Sequence, residues 1–381
     1  GLNIGNPPGG NQPPAYVADV GNAEEVTFST SGGLGESETG GLTMNVVPKT
    51  GGNRISGSLF FSGTNESLMS ENFEGIVGLS APTPFKKIYD LNGSFGGPIK
   101  RDKIWYFINA RTQGSKRINA NQFYNLNAGK ADQWLYAPDA SRPGFSDRTW
   151  ENVSGRVTWQ ANPKNKISGF WDEQATCRKC EGQTSGITDP ARLSPEAGSV
   201  GATKPLRVMQ ASWSSPVTSR LLLDAGFGGG YYGWGSFERD PNPTHDLTRV
   251  VEQCAAGCAS NGNIAGLTYR SQDFNNNNTG SFGWKTNAAY VTGSHSMKIG
   301  YQGTWMVDKR TWMTNSTELA YRVNNGRPNQ LTQTLTPFQN DGYAGWHAAF
   351  WQEQYTRNRL TLQGAVRYDI ASSWYPEQTL G

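Results

Sequence analysis

No stretch of this 381-residue chain approaches the ~20 consecutive apolar residues that a membrane-spanning helix needs. With 35% hydrophobic residues and a mean hydropathy of −0.61, the composition is too polar for a helical membrane protein. Net charge is nearly absent as well, since 34 Lys and Arg against 31 Asp and Glu leave +3. No basic stripe breaks that balance, so neither nucleic acid nor another polyanion is implied as a partner. Histidine is scarce: His245, His295 and His347 lie far apart, without Asp or Glu at metal-ligand offsets. They read as a loop residue, a turn residue and a lumen-facing or lipid-facing strand residue, and no metal or cofactor is expected. A Gly-x-Ser-x-Gly elbow is missing. The run Gly226–Gly230 sits inside a strand pattern rather than before a helix, which argues against a phosphate loop. In a strand such glycines mark the close approach of another segment or a sharp bend.

What the chain has instead is a period of two. Between Ser296 and Val307, Met297, Ile299, Tyr301, Trp305 and Val307 share one face, with Ser296, Lys298, Gln302 and Thr304 on the other. Only a strand places them so. Leu360, Leu362, Val366, Tyr368 and Ile370 separate in the same way from Thr361, Gln363, Arg367 and Asp369. So do Val153, Val157 and Trp159 from Ser154, Arg156, Thr158 and Gln160, and Tyr89, Leu91 and Phe95 from Asp90, Asn92 and Ser94. The alternation blurs at Trp105–Phe107 and across 343–355.

Tight polar turns near 100–103, 162–166, 215–219, 292–295 and 356–359 are interleaved with long connections at 64–85, 117–147, 177–204, 234–279 and 310–341. Eleven strands fall between them, at 54–63, 86–98, 104–116, 148–161, 167–176, 205–214, 219–233, 280–292, 296–309, 342–355 and 360–373. Each apolar stripe covers about 9–11 residues, the length at which a tilted strand crosses a bilayer. Trp and Tyr recur near stripe ends, as Trp105, Tyr106 and Trp159 do, where interfacial girdles sit. The pattern predicts an all-β fold, a transmembrane antiparallel β-barrel with short turns toward the periplasm and long irregular loops outward. An odd number of strands leaves open edges that lipid cannot satisfy, so about half of a closed barrel is expected. A soluble sandwich alternates too, and a secreted β-propeller is the natural soluble competitor. No repeat of propeller length is consistent enough to support one.

Residues 1–53 are rich in Gly, Pro, Ser and Asn, and their few large apolar residues cannot form a core of their own. The chain opens at Gly1 without an initiator Met or an apolar leader and ends without a terminal aromatic strand, as a mature or cropped piece would. Within 1–53, Glu24-Glu25-Val26, Ser31-Gly32-Gly33, Glu36-Ser37-Glu38-Thr39-Gly40-Gly41, Asn45-Val46-Val47-Pro48-Lys49 and Gly51-Gly52-Asn53 resemble the end of the plug domain of TonB-dependent outer-membrane receptors. The nearest variety is the Oar-like group, which carries a carboxypeptidase-regulatory-like domain before the plug. Ile55-Ser56-Gly57-Ser58-Leu59-Phe60 resembles that family's first barrel strand. Leu91-Asn92-Gly93-Ser94-Phe95-Gly96-Gly97-Pro98-Ile99 with Lys103-Ile104-Trp105-Tyr106-Phe107 is similar to its second hairpin. Phe350-Trp351-Gln352-Glu353 and Arg359-Leu360-Thr361-Leu362, with Val366-Arg367-Tyr368-Asp369, resemble another, with Trp and Glu where Val and Asp are commoner.

The resemblance implies that 1–53 is the C-terminal part of a plug and 54–381 the N-terminal half of a barrel, about 11 of 22 strands. It also implies active uptake of a scarce small-molecule, glycan or peptide ligand across the outer membrane. Energy would come from a TonB-type partner through a region upstream. No enzymatic activity is implied. A passive porin-like channel would share the barrel but lack the plug-like block, and a secreted propeller or carbohydrate-binding protein would lack both.

Two cysteine pairs, Cys177 with Cys180 and Cys254 with Cys258, fall in predicted outward loops. Thiols outside the cell are normally bridged, which predicts local or cross-loop disulfides. A four-thiolate zinc site has nearly the same ligand spacing and is the alternative. Asp172, Glu173 and Asp369 could be paired for glycoside hydrolysis, but lumen-facing acids balanced by Arg156 and Arg367 are the plainer account. Tyr231, Tyr232, Trp234 and Phe237 cluster at one predicted strand top, and Trp312 lies at another. Aromatic faces suit sugars, peptides and chelates alike, so these five are the candidates for ligand contact. An interfacial girdle is their alternative reading.

Overall fold

The computed structural model describes residues 16–17, 19–30, 33–36, 43–70, 85–178, 180–182, 192–237, 246–254 and 264–377. Two short strands open it, β1 (Ala23–Ser29) and β2 (Thr43–Pro48), paired antiparallel. Then follow β3 (Ser56–Asn65), β4 (Phe85–Lys100), β5 (Ile104–Asn125), β6 (Pro138–Asn162), β7 (Asn165–Thr176), β8 (Val200–Pro216) and β9 (Leu221–Phe237). Next come β10 (Arg249–Glu252), β11 (Thr268–Tyr269), β12 (Phe274–Thr292) and β13 (His295–Met313). The chain closes with β14 (Leu319–Asn324), β15 (Arg327–Gln333), β16 (Phe338–Arg357) and β17 (Leu360–Trp374).

Eleven of these form one sheet in the order β3-β4-β5-β6-β7-β8-β9-β12-β13-β16-β17. Every neighbouring pair is antiparallel. All eleven predicted strands are present and each sits at its predicted place. The outer edges of β3 and β17 have no partner strand among the described residues.

The two faces of the sheet follow the parity of the sequence. On the outer face Leu59, Phe61, Val153, Ile299, Val366 and Tyr368 are all exposed, Leu59 at 79% and Tyr368 at 69%. In water such a continuous apolar surface would be far larger than a soluble monomer tolerates. In lipid it is the surface a barrel needs. Phe282, Trp305, Tyr343 and Trp374 stack side by side across β12, β13, β16 and β17, with ring centroids 6.2, 6.4 and 5.5 Å apart. Tyr290 lies eight residues below Phe282 on the same face of β12, near the short turn. That is about 26 Å along the strand, or about 20 Å of height at a ~40° tilt, close to the apolar band of an outer-membrane barrel.

Two sequence-based placements change, and a third, left open between the two faces, is resolved. Trp105 belongs to the inner face, where its Nε1 donates to Asn53 Oδ1 at 2.8 Å, so it is no part of the girdle. Glu173 points outward and pairs with Arg207, and only Asp172 of that pair faces inward. His347 lies on the outer face, where its Nδ1 meets Tyr301 Oη at 2.8 Å.

Among the described residues the long connections carry regular structure of their own. β5, β6, β8, β12 and β13 run on past the apolar band, and β10, β11, β14 and β15 make a second sheet in the order β11-β10-β14-β15. Its core is Val250, Leu267, Tyr269 and Val323, with Tyr136, Ile264 and Tyr321 packed against it. β10 and β14 pair in parallel, which joins the β9–β12 connection to the β13–β16 connection. Glu252 lies in the middle and accepts backbone N–H from Cys254, Asn325 and Gly326 at 3.0, 2.8 and 3.0 Å. Arg270 stacks 4.5 Å from the Trp134 ring and donates to two carbonyls of the β5–β6 connection. The outward end therefore carries a structured cap with a core of its own.

Candidate functional site

The site is the inner face of the large sheet, where polar side chains recur at every second position along most strands. A single N-terminal segment meets this face at two sectors far apart in the strand order, so the sheet must curl around it. At the first sector, Asp19 accepts from Arg111 Nη1 at 2.7 Å, from Asn109 Nδ2 at 2.9 Å and from Asn92 Nδ2 at 3.3 Å. Its side chain is 1% exposed. The same guanidinium gives its Nε and Nη2 to Asp90 at 2.9 and 2.7 Å. Nearby, Tyr16 Oη donates to Asp172 Oδ2 at 3.1 Å, Gln174 brackets the Val17 backbone, and Asn22 Nδ2 donates to Ser154 Oγ at 2.6 Å. These wall residues come from β4, β5, β6 and β7.

At the second sector the 3-10 turn Leu34–Glu36 meets β13, β16 and β17. The Glu36 carboxylate pairs with Lys298 and accepts from Gln352 Nε2 at 3.2 Å, while Gln302 and Arg367 donate to the Glu36 and Gly35 carbonyls at 3.1 and 2.7 Å. Arg156 Nη1 also donates to the Pro48 carbonyl at 3.0 Å. Asn53 ties the end of the segment to the β4–β5 turn, where it accepts the Asp102 N–H at 2.9 Å. Sequence reading passed over Asp19, Arg111 and Glu36. The available signal was a charged residue at inner-face parity within a strand, which must find a partner when it is buried.

The aromatic candidates divide between the faces. Tyr232 and Trp234 are inner-face residues of β9, opposite Thr279 and Asn277 of β12. Trp234 Nε1 donates to Thr279 Oγ1 at 3.1 Å, Thr279 donates to Asp308 at 2.9 Å, and Arg310 Nε reaches Asp308 at 2.8 Å. Arg310 also lies 5.8 Å from the Trp234 ring. Trp312, on the same face of β13, stacks on Phe338 at 5.8 Å. Tyr231 and Phe237 have the opposite parity. Tyr231 donates to Asn278, and Phe237 packs against Cys177, Val200 and Ala202.

Cys177 and Cys180 are joined by a disulfide at the outer end of β7, and Cys254 is disulfide-bonded in the cap. The bridge removes two of the thiolates that a zinc reading requires. Cys258 and His245 lie outside the described residues. In the cap, Glu196 is buried and accepts from Ser194 Oγ at 2.5 Å and from the Asn125 N–H at 3.2 Å. Burial raises its carboxyl above the usual range despite these donors. Burial, assisted by that carboxylate, pushes the Tyr136 phenol up to about 12.

An inward polar face, an outward apolar band and a one-sided set of short turns describe an outer-membrane barrel wall. A family model for the outer membrane beta barrel domain matches residues 122–380. The chain belongs to that family. It resides in the outer membrane, with the outer face of the β-barrel wall in lipid. TonB-dependent transporter Oar of Myxococcus xanthus is 25% identical over 184 residues, which cover 44% of this chain and 17% of that protein. The outer membrane transporter YddB of Escherichia coli superposes with a TM-score of 0.64 at 13% identity, covering 98% of this chain and 46% of that one. The ferripyoverdine receptor of Pseudomonas aeruginosa gives 0.56 at 10% identity, covering 95% and 44%. These two structures share the fold of the barrel, and the chain spans less than half the length of each of these relatives.

Proposed function

We propose that this chain is the end of the plug and the first half of the barrel of a TonB-dependent transporter. Residues 1–53 are the plug part and 54–381 the barrel part. In this reading the complete protein takes up a scarce ligand, and a TonB-type partner pulling on the plug supplies the energy. What carries the reading is the double attachment of the N-terminal segment, through Asp19 on β4 and β5 and through Gly35 and Glu36 on β13, β16 and β17. A passive porin has no use for a segment bonded across its lumen. Oar, the transporter YddB and the ferripyoverdine receptor support the same reading through likeness. Tyr232, Trp234 and Trp312, which face the lumen, are the ligand-contact candidates that remain; Tyr231 and Phe237 face away from it.

The test is accumulation of solutes by a deletion strain complemented with the full-length gene, on defined iron and carbon sources. Uptake that stops when the proton gradient is collapsed is the expected result. Uptake that follows the concentration gradient alone would instead establish the porin-like channel.

A further inference from the structure

The cap sheet grows in the order of the wall beneath it. Leu193 of the β7–β8 connection bridges in parallel to Thr268 of β11, and the Ser194 N–H donates to the Thr268 carbonyl at 2.9 Å. β11 and β10 come from the β9–β12 connection, and β14 and β15 from the β13–β16 connection. The ladder therefore follows the wall from β8 to β16, one outward connection after the next. Leu193 and Ser194 cover its first edge. Its last edge, β15, has no partner strand among the described residues, and all seven of its residues are exposed.

That last edge has the form of an inner rung of a sheet. The Thr334 N–H donates to the Glu318 carbonyl at 2.9 Å, and successive N–H groups of a strand alternate in direction. Those of Thr332 and Gln330 therefore face β14, opposite Ala320 and Arg322, while the N–H and C=O of Leu331 and Gln333 point away from it. Register lines up Tyr269, Val250, Tyr321 and Leu331 in one row across the four strands. The row begins in the cap core, where Tyr269 and Val250 are each 1% exposed, and stops at Leu331, which is 54% exposed. Solvated edges are commonly blunted by charge or proline. Arg327 and Pro328 stand at the turn end, and the rungs that point away from β14 carry Leu and Gln.

In the wall, β17 follows β16 and leads the chain back to the outward side at Trp374. There Tyr375 lies over Gly342, where a Cβ would meet its ring at 3.1 Å, near the point at which the β13–β16 connection re-enters the wall. β15 runs toward the wall and a segment leaving β17 runs away from it, so the two meet antiparallel. We propose that the outward connection beginning at Tyr375 adds a fifth strand to the cap sheet, bonded to Leu331 and Gln333 of β15. The cap then ties four consecutive outward connections into one body, and none of them moves alone. The proposal rests on the half-barrel reading only in that a complete connection follows β17.

The experiment is hydrogen exchange at single-residue resolution on the full-length protein in detergent, at two protein concentrations. One variant replaces the connection after Pro376 by a short Gly-Ser linker. Another carries Gln333→Pro, which removes an N–H that points away from β14 and no bond to it. Folding is checked by heat-modifiable gel mobility. The Leu331 and Gln333 amides should exchange roughly a hundredfold more slowly in the wild type than in the linker variant, with Gln330 and Thr332 protected in both. In Gln333→Pro the Leu331 amide should exchange at least tenfold faster than in the wild type. Rapid exchange at Leu331 and Gln333 in the wild type overturns the proposal, as does a Leu331 amide indifferent to Gln333→Pro. So does protection that survives the linker, as a bound peptide would give, or that grows with concentration, as a second copy would give. Rapid exchange with gradient-driven uptake removes the fifth strand and keeps transport. Slow exchange that the linker abolishes, with gradient-independent uptake, does the reverse.

Discussion

Arg111 Nη1 and Asp19 Oδ1, 92 residues apart in sequence, lie 2.7 Å from each other where the N-terminal segment meets the wall. The two ends of this pair are not equivalent. Arg111 keeps Asp90 if Asp19 is lost, whereas Asp19 is almost wholly buried and loses the one cation paired with it among the described residues if Arg111 is lost. Arg111→Ala should therefore cost on the order of 3–5 kcal/mol in attachment of the segment, and Asp19→Ala clearly less. A double-mutant cycle read by protease sensitivity near residue 20 checks the order, and equal costs would contradict it.

The Glu36 attachment should be the weaker one. Its carboxylate is 39% exposed, so the pair with Lys298 is worth less than about 1 kcal/mol and is screened by salt. Hydrogen exchange of residues 34–36 should speed up between low and high ionic strength while residues 19–22 stay protected. Equal acceleration at both places would count against the distinction.

Glu196 makes the cap sensitive to pH. Its folded pKa is raised, so the stability linked to its protonated form is complete below the ordinary glutamate range. That stability is lost as pH rises through the folded value. Exchange protection of residues 194–198 should fall between pH 4 and 8 in the wild type and stay level in Glu196→Gln. A wild type that is flat over this range would show that burial is not the dominant influence.

Glu252 holds three backbone N–H groups of the cap. Charge-assisted bonds of this kind and the donors left bare predict a loss of about 3 kcal/mol in local stability for Glu252→Ala. The β14–β15 hairpin should become protease-sensitive while the large sheet keeps its thermal transition. An intact hairpin in the variant would argue against it.

Reduction of Cys177–Cys180 should do little by comparison. The bridge closes a loop over a sequence separation of three, for which chain entropy gives only about 2 kcal/mol. Substituting both cysteines by Ala should loosen Val200, Ala202 and Phe237, seen in local exchange, and leave β3 to β6 unchanged.

The large sheet was legible because each strand separates lipid from lumen, so Ile299 and Lys298 announce their faces unaided. Beyond the apolar band both faces are wet or packed against cap, and the period-two signal fades, which hid the extensions Arg117–Asn125 and Pro138–Asp147. The cap sheet was hidden for another reason. β10 has four residues and β11 two, and their partners come from distant connections. One part of it was readable: Asn325 and Gly326, with φ of 51° and 77°, form the two-residue Asn-Gly turn that marks a hairpin. Parity also spoke against one shared ligand cluster, since adjacent Tyr231 and Tyr232 cannot face the same side. Asp19 was invisible for want of any local clue to Arg111.

The bare borders of β3 and β17 set a condition on the whole sheet. Along their ten and fifteen residues, roughly half of the amide and carbonyl groups point sideways into hydrocarbon with nothing to bind. At several kcal/mol apiece the debt is on the order of tens of kcal/mol, beyond the 5–15 kcal/mol that a folded domain holds in reserve. Whatever covers those borders is as much a part of folding as the strands themselves, and a bilayer will not accept this wall until its two seams are sewn.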